Sequence, residues 1–153
     1  MANTYAQIYR HVVFAVSGRA SVIEPKYKEE LQKYMTGIVT ARNQKLIAIN
    51  CMPDHTHILL GLKPDEAPSA LIAKIKAGST NHIDEQKWLG CRFSSQEGFG
   101  AVSVSHSHLN TVINYIRRQE EHHRRKSFRE EYVEFLERHR VPYDRRYVFK
   151  PIE

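Results

Sequence analysis

Two short apolar segments, "KLIAINCM" at residues 45–52 and "HTHILLGL" at residues 55–62, are separated only by Pro53 and Asp54. Pro fixes φ and Asp hydrogen-bonds its own local backbone, so this pair turns a chain, and two β-rich runs so close together form an antiparallel hairpin most simply. The remaining segments must be arranged around it. Tyr5 to Val16, rich in β-branched and aromatic residues and ending at Ser17-Gly18, predicts an earlier strand. After Pro25, the residues Tyr27, Leu31, Tyr34, Met35, Ile38 and Val39 recur at helical spacing, with Asn43 as the stop. Residues 69–83 predict a second helix and residues 99–107 return to strand alternation. The period is helical again over 108–125. A last helix over 127–140 opens on Ser127, with Glu130 three residues later in a capping-box pattern.

The order strand, helix, strand, strand, helix, strand, helices predicts an α+β class fold. It suits a ferredoxin-like (RRM-like) βαββαβ antiparallel sheet with additional C-terminal helices, one face of the sheet being left for a partner. No repeat or linker interrupts the 153 residues, so a single domain over 1–153 is expected. Hydrophobic residues at 41% and charged residues at 26% exclude a disordered or fibrous chain. No apolar run reaches the roughly 18–20 residues that span a bilayer, and no signal-peptide core opens the chain, so no membrane partner and a cytoplasmic location are expected. Cys51 and Cys91 sit in apolar contexts and are read as reduced, buried thiols.

The net charge of +6 suggests an anionic partner. Residues 1–50 hold seven Lys/Arg against three acids, whereas residues 51–114 hold five against six, so the excess lies towards the two ends. In the C-terminal third, Arg117-Arg118 and Arg124-Arg125-Lys126 alternate with Glu120-Glu121 and Glu130-Glu131, a pattern that a solvated helix face also produces.

Within "HTHILLGL", residues two apart point to one side of a strand, so His55 and His57 face one way and Thr56, Ile58 and Leu60 the other. An isolated His-x-His is commonly a pair of surface or hydrogen-bonded core histidines. Here the strand is otherwise apolar, so two imidazoles require a compensating partner, and a divalent metal supplies one. A third ligand is sought in "LNTVINYIRRQEEHHRR". Leu109, Val112, Ile113 and Ile116 form the buried stripe of that helix, and Tyr115 with Gln119, one turn on, occupies its flank. His122 and His123 continue the same flank. A snorkelling tyrosine and a solvated glutamine would fit this pattern equally well.

Four blocks, "MPDHTHILL", "GFGAVSVSHS", "YIRRQEEHH" and "SFREEYVEFLERHRVPYDRRYVF", resemble in order the single-tyrosine HUH transposases of the smallest bacterial insertion sequences. Relatives associated with repetitive extragenic palindromes share the pattern. Thr56 departs from the bulky hydrophobe usual between the histidines, but it faces away from them. The resemblance implies a DNA transposase and single-strand endonuclease acting on DNA with hairpin or palindromic ends, associated with the nucleoid when bound. It implies Tyr115 as the catalytic nucleophile, giving a 5′-phosphotyrosine and a free 3′-hydroxyl. His55, His57 and Gln119 would be metal ligands, with His123 a rival to Gln119 and His122 a weaker one. Magnesium or manganese is the expected cofactor, and a homodimer with an active site shared between protomers the expected assembly. Asp54 could orient a ligand histidine or simply stabilise its turn. Lys74, Lys76, Arg117, Arg118, Arg124 and Arg125 are candidate phosphate contacts.

Two competing functions remain at this stage. A non-catalytic nucleic-acid module could use the same sheet, and would not need the tyrosine. A metal hydrolase could activate water at the histidine pair, although the barrel hydrolases carrying that motif need about 250 residues.

Overall fold

A computed structural model describes residues 4–15, 23–89 and 98–144. In chain order the elements are β1 (Ile8–Ala15), α1 (Lys28–Ala41), β2 (Lys45–Cys51), β3 (His55–Leu62), α2 (Pro68–Gln86), β4 (Gly100–Ser103), α3 (Leu109–Arg117), α4 (Gln119–His122) and α5 (Phe128–Arg138). The strands form one antiparallel sheet in the order β2-β3-β1-β4. This is the expected ferredoxin-like topology: β3 pairs with β1 at the centre, and each crossover helix carries the chain to an edge strand. Asn43 takes a left-handed φ of 60° just beyond α1, the conformation that ends helices. The turn expected at Ser17-Gly18, Cys91 and the tail after Asp144 lie outside the described residues.

Strand β3 is buried almost throughout because it has a strand on either side and helices on both faces. On one face Ile58, Leu60 and Leu62 join Val12 and Phe14 beneath Leu31, Met35 and Val39 of α1 and Leu71, Ile72 and Ile75 of α2. Each fully buried aliphatic side chain there contributes at most about 1.5–3 kcal/mol of transfer free energy. Cys51 belongs to this layer, and burial pushes its thiol up to about 12, so it is a packing residue.

The second face of the sheet is not left open for a partner, contrary to expectation. It presents Val13, Ala15, Ala48, Leu59 and Val102, and the chain's own C-terminal helices cover them. Ile116 and the partly buried Leu109, Val112 and Ile113 of α3 pack on Ala48 and Leu59. Phe128, Phe135 and Leu136 of α5 pack on Val13, Ala15 and Val102. Helix α5 comes close because Gly100 has no side chain: a Cβ there would lie 2.8 Å from the Tyr132 ring. Ser127 caps α5, accepting a 3.2 Å hydrogen bond from the Glu130 amide, as the capping pattern predicts.

Candidate active site

The register of the sheet decides which side chains meet beneath α3, α4 and α5. Strand alternation sends His55 and His57 to this face and Thr56 into the opposite core, as the sequence implied. On β1 the same alternation sends Val13, opposite His57, and His11, two residues before it, to the histidine side. Strand β2 needs a further device. Leu46 pairs with Leu60 and Ala48 with Leu59, so Ile47 is an extra residue in a β-bulge. The bulge reverses the facing of everything after it, which brings Asn50, opposite His57, into the site.

Asn50 then acts on the tyrosine helix. Instead of the single helix expected over 108–125, α3 ends at Arg117 and α4 begins at Gln119, with Arg118 between them at φ −96° and ψ 20°. The Ile116 carbonyl at this break accepts a 2.8 Å hydrogen bond from Asn50 Nδ2. The Tyr115 carbonyl accepts one of 3.4 Å from Gln119 Nε2. Side chains thus satisfy carbonyls at the break, and Gln119 turns into the protein, where it is fully buried.

All the converging groups meet at Glu131, on the first turn of α5. Its Oε1 accepts from His57 Nε2 at 3.0 Å and from His123 Nε2 at 3.0 Å. Its Oε2 accepts from Gln119 Nε2 at 3.1 Å and from the Tyr115 hydroxyl, and His122 Nε2 lies 3.3 Å away. His55 Nδ1 donates to Asp54 Oδ1 at 2.7 Å. His55 Nε2 then faces Gln119 Oε1 at 3.3 Å and Glu131 Oε1 at 3.7 Å. His55 Nε2, Gln119 Oε1 and Glu131 Oε1 thus crowd one point beside His123 Nε2, which lies 3.0 Å from both oxygens, and a cation seated there would replace these hydrogen bonds. Ligand atoms of His55, His57 and Glu131 lie within 4.8 Å of one another, and this donor set suits a divalent metal.

Electrostatics follow from this crowding. Burial opposes ionisation of Glu131, but hydrogen bonds from His123 and His57, the charge of His57 and the Tyr115 hydroxyl outweigh it and hold the carboxyl well below its usual range. Burial, then the Glu131 hydrogen bond and charge, push the Tyr115 phenol up. The protein's own groups therefore keep that hydroxyl protonated. Burial pushes His57 down despite Glu131, whereas on the less buried His123 the Glu131 hydrogen bond prevails and the ring is raised.

The structure thus brings Tyr115, His55, His57, Gln119 and His123 together within one chain. Asp54, for which the sequence left a turn role and a histidine-orienting role open, holds a histidine. Arg117, Arg118, Arg124 and Arg125 are exposed around the break and the turn after α4. Lys74 and Lys76 lie on α2, which covers the other face of the sheet; Lys76 donates to the Gly98 carbonyl at 2.6 Å and sits 5.7 Å from the Phe14 ring centre. Their position does not favour a shared track with the arginines. Sequence reasoning missed His11, whose Nε2 is 2.9 Å from His57 Nδ1, and Glu131. The one available signal for His11 was a buried polar residue within the β-branched run of β1. Glu131 had none, being one acid among several on an amphipathic helix.

Comparison with known proteins agrees with this architecture. The sequence model described as transposase, IS200-like, matches residues 4–119, from before β1 to Gln119. The ISDra2 transposase TnpA of Deinococcus radiodurans is 22% identical over 120 residues, covering 74% of this chain and 84% of the relative. A crystal structure of a transposase candidate from Deinococcus radiodurans R1 superposes with a TM-score of 0.58 at 21% identity, covering 78% of this chain and 95% of the other. A REP-associated tyrosine transposase bound to a REP hairpin superposes with a TM-score of 0.62 at 17% identity, covering 80% and 73%. Since the family match spans the whole sheet and the tyrosine helix, the chain belongs to the IS200-like transposase family.

Proposed function

We propose that this transposase cuts and rejoins single-stranded DNA carrying hairpin ends, with Tyr115 as nucleophile and His55, His57 and Gln119 as ligands of magnesium or manganese. The observation that carries the reading is the convergence of the Tyr115 hydroxyl, both histidines and Gln119 on the single carboxylate of Glu131. Glu131 and His123 are the further groups that would lie within reach of a metal held there. A carboxylate and an amide oxygen among the donors favour a hard divalent cation. When bound, the cation would neutralise negative charge developing on the phosphodiester.

The chain's own residues do the rest. Glu131 accepts the hydrogen bond of the Tyr115 hydroxyl and so orients it, and as the phenol oxygen attacks phosphorus its proton is passed on to the departing 3′ oxygen. The phosphorus–O3′ bond breaks, the 3′ oxygen leaves with a proton, and the 5′-phosphate stays on Tyr115. One phosphodiester replaces another, so a different 3′-hydroxyl can reverse the step without ATP. A cavity of about 560 Å³ reaches Tyr115 and Glu131 between β4, the start of α3 and α5, and gives DNA its approach. The exposed Arg117, Arg118, Arg124 and Arg125 hold the strand through phosphates. Replacing Arg124 and Arg125 with Ala should weaken oligonucleotide binding and flatten its salt dependence by up to about 0.7 per lost contact, while Lys74→Ala should change little. Equal losses in the two variants, measured by fluorescence anisotropy, would abandon that track. A homodimer is the assembly we expect, which sedimentation equilibrium tests.

The decisive experiment mixes the protein with labelled single-stranded DNA bearing the palindromes that flank its gene, with magnesium or manganese. A denaturation-resistant protein–DNA adduct is expected, and Tyr115→Phe or a chelator should abolish it. Tight binding without an adduct would instead indicate a non-catalytic DNA-binding module.

A further inference from the structure

We propose that His11 is a positioning residue for His57, setting which His57 nitrogen is free to bind the metal. The inference rests on the reading of His57 as a ligand. His11 lies on the central strand β1, on the same face as His57 and diagonal to it, and its Nε2 is 2.9 Å from His57 Nδ1. Both rings are buried. The His11 ring is held by edge contacts with Phe135 and Tyr115, at centroid distances of 5.1 and 6.0 Å.

Proton counting shows why the residue there should be a neutral imidazole. While His57 Nε2 donates to Glu131, its Nδ1 is a lone pair and takes a hydrogen bond from His11 Nε2–H. For His57 Nε2 to coordinate a cation it must lose its proton, and Nδ1 must carry one that needs an acceptor. His11 Nε2 becomes that acceptor. The His57 Nε2 proton leaves, the bridging proton passes from His11 Nε2 to His57 Nδ1, and His11 Nδ1 takes one up from the cavity that His11 lines. Each ring keeps one proton, and no buried charge is created.

Other side chains serve less well. Lys or Arg can only donate, an ionised carboxylate can only accept, and an apolar ring does neither. Asp54 performs the accepting half of this task for His55. His11 completes the pair, so that both histidines can offer Nε2 to the same point.

The test is Mn2+ titration of the full-length protein without DNA, followed by electron paramagnetic resonance, for the unaltered protein, His11→Phe and His11→Gln. The Phe variant should bind about 10–100-fold more weakly, the usual effect of losing a ligand's hydrogen-bond partner. The Gln variant, whose amide oxygen accepts, should recover most of the affinity. Nitrogen-15 spectra with diamagnetic Mg2+ should show the His57 proton on Nδ1 in the unaltered and Gln proteins, a readout that stands if the Phe variant does not fold. Equal affinity in the Phe variant overturns the proposal, as does an equal loss in both variants, which would mark packing alone. An unaltered protein that binds no Mn2+ removes the metal centre itself, and His11's task with it.

Discussion

At the scale of single residues, Asp54 separates two tasks that one side chain can perform. It stands in the turn between β2 and β3, where the Met52 amide donates to the His55 carbonyl at 2.8 Å, and its carboxylate also accepts from His55 Nδ1. Asn forms such turns as readily as Asp but lacks the charge. Asp54→Asn should therefore leave the melting temperature unchanged while weakening Mn2+ binding by roughly tenfold or more, because the His55 ring loses a charged partner. Unchanged Mn2+ affinity in a calorimetric titration would reduce Asp54 to its turn. His55, His57, Tyr115 and Gln119 were legible because residue type and period coincide: imidazoles two apart on a strand, and a phenol and an amide one turn apart on a helix. Glu131 was not, because its meaning lies 74 residues away at His57 and nothing in the local pattern separates it from the other acids of α5.

At the scale of elements, the break between α3 and α4 places Gln119, and Asn50 holds it. The hydrophobic stripe of residues 108–125 predicted one continuous helix, and periodicity could not reveal the break, since its cause is a side chain on another element. Nor could alternation along β2 place Asn50, because the bulge at Ile47 inverts the parity on which such readings depend. Asn50→Leu keeps the branching and the heavy-atom count of the side chain but strands the Ile116 carbonyl in the interior. Such a loss costs about 1–3 kcal/mol. Denaturant unfolding should register it, and Mn2+ affinity should fall as well if the break positions Gln119. A stability loss with undiminished Mn2+ affinity would mean that Gln119 is held without the break.

At the scale of the whole molecule, the site makes stability depend on pH, and the sign follows from which protonation state the fold selects. His11 is pushed down to about 3 from 6.5 by burial and by His57, and it faces Glu131 and His139 as well; His57 is lowered by its own burial. Between about pH 3 and pH 6.5 the unfolded chain therefore binds protons that the native histidines refuse, so stability falls as pH drops below 6.5. Glu131 acts in the same direction at lower pH: held below its ordinary range, it contributes stability above about 4.5 that is lost on acidification. His123 opposes them, since its raised value adds stability below about 6.5 that is lost as pH rises through its folded value. One moderately buried histidine set against two deeply buried ones and a buried carboxylate leaves acid destabilisation dominant. Melting temperatures measured without metal from pH 8 to pH 4.5 should be nearly level above 7 and decline progressively below 6.5. His11→Phe should make that decline shallower, because it removes a buried imidazole that the fold holds neutral and that takes up a proton on unfolding. A decline of unchanged steepness in the variant would mean that His11 is not held neutral by the fold.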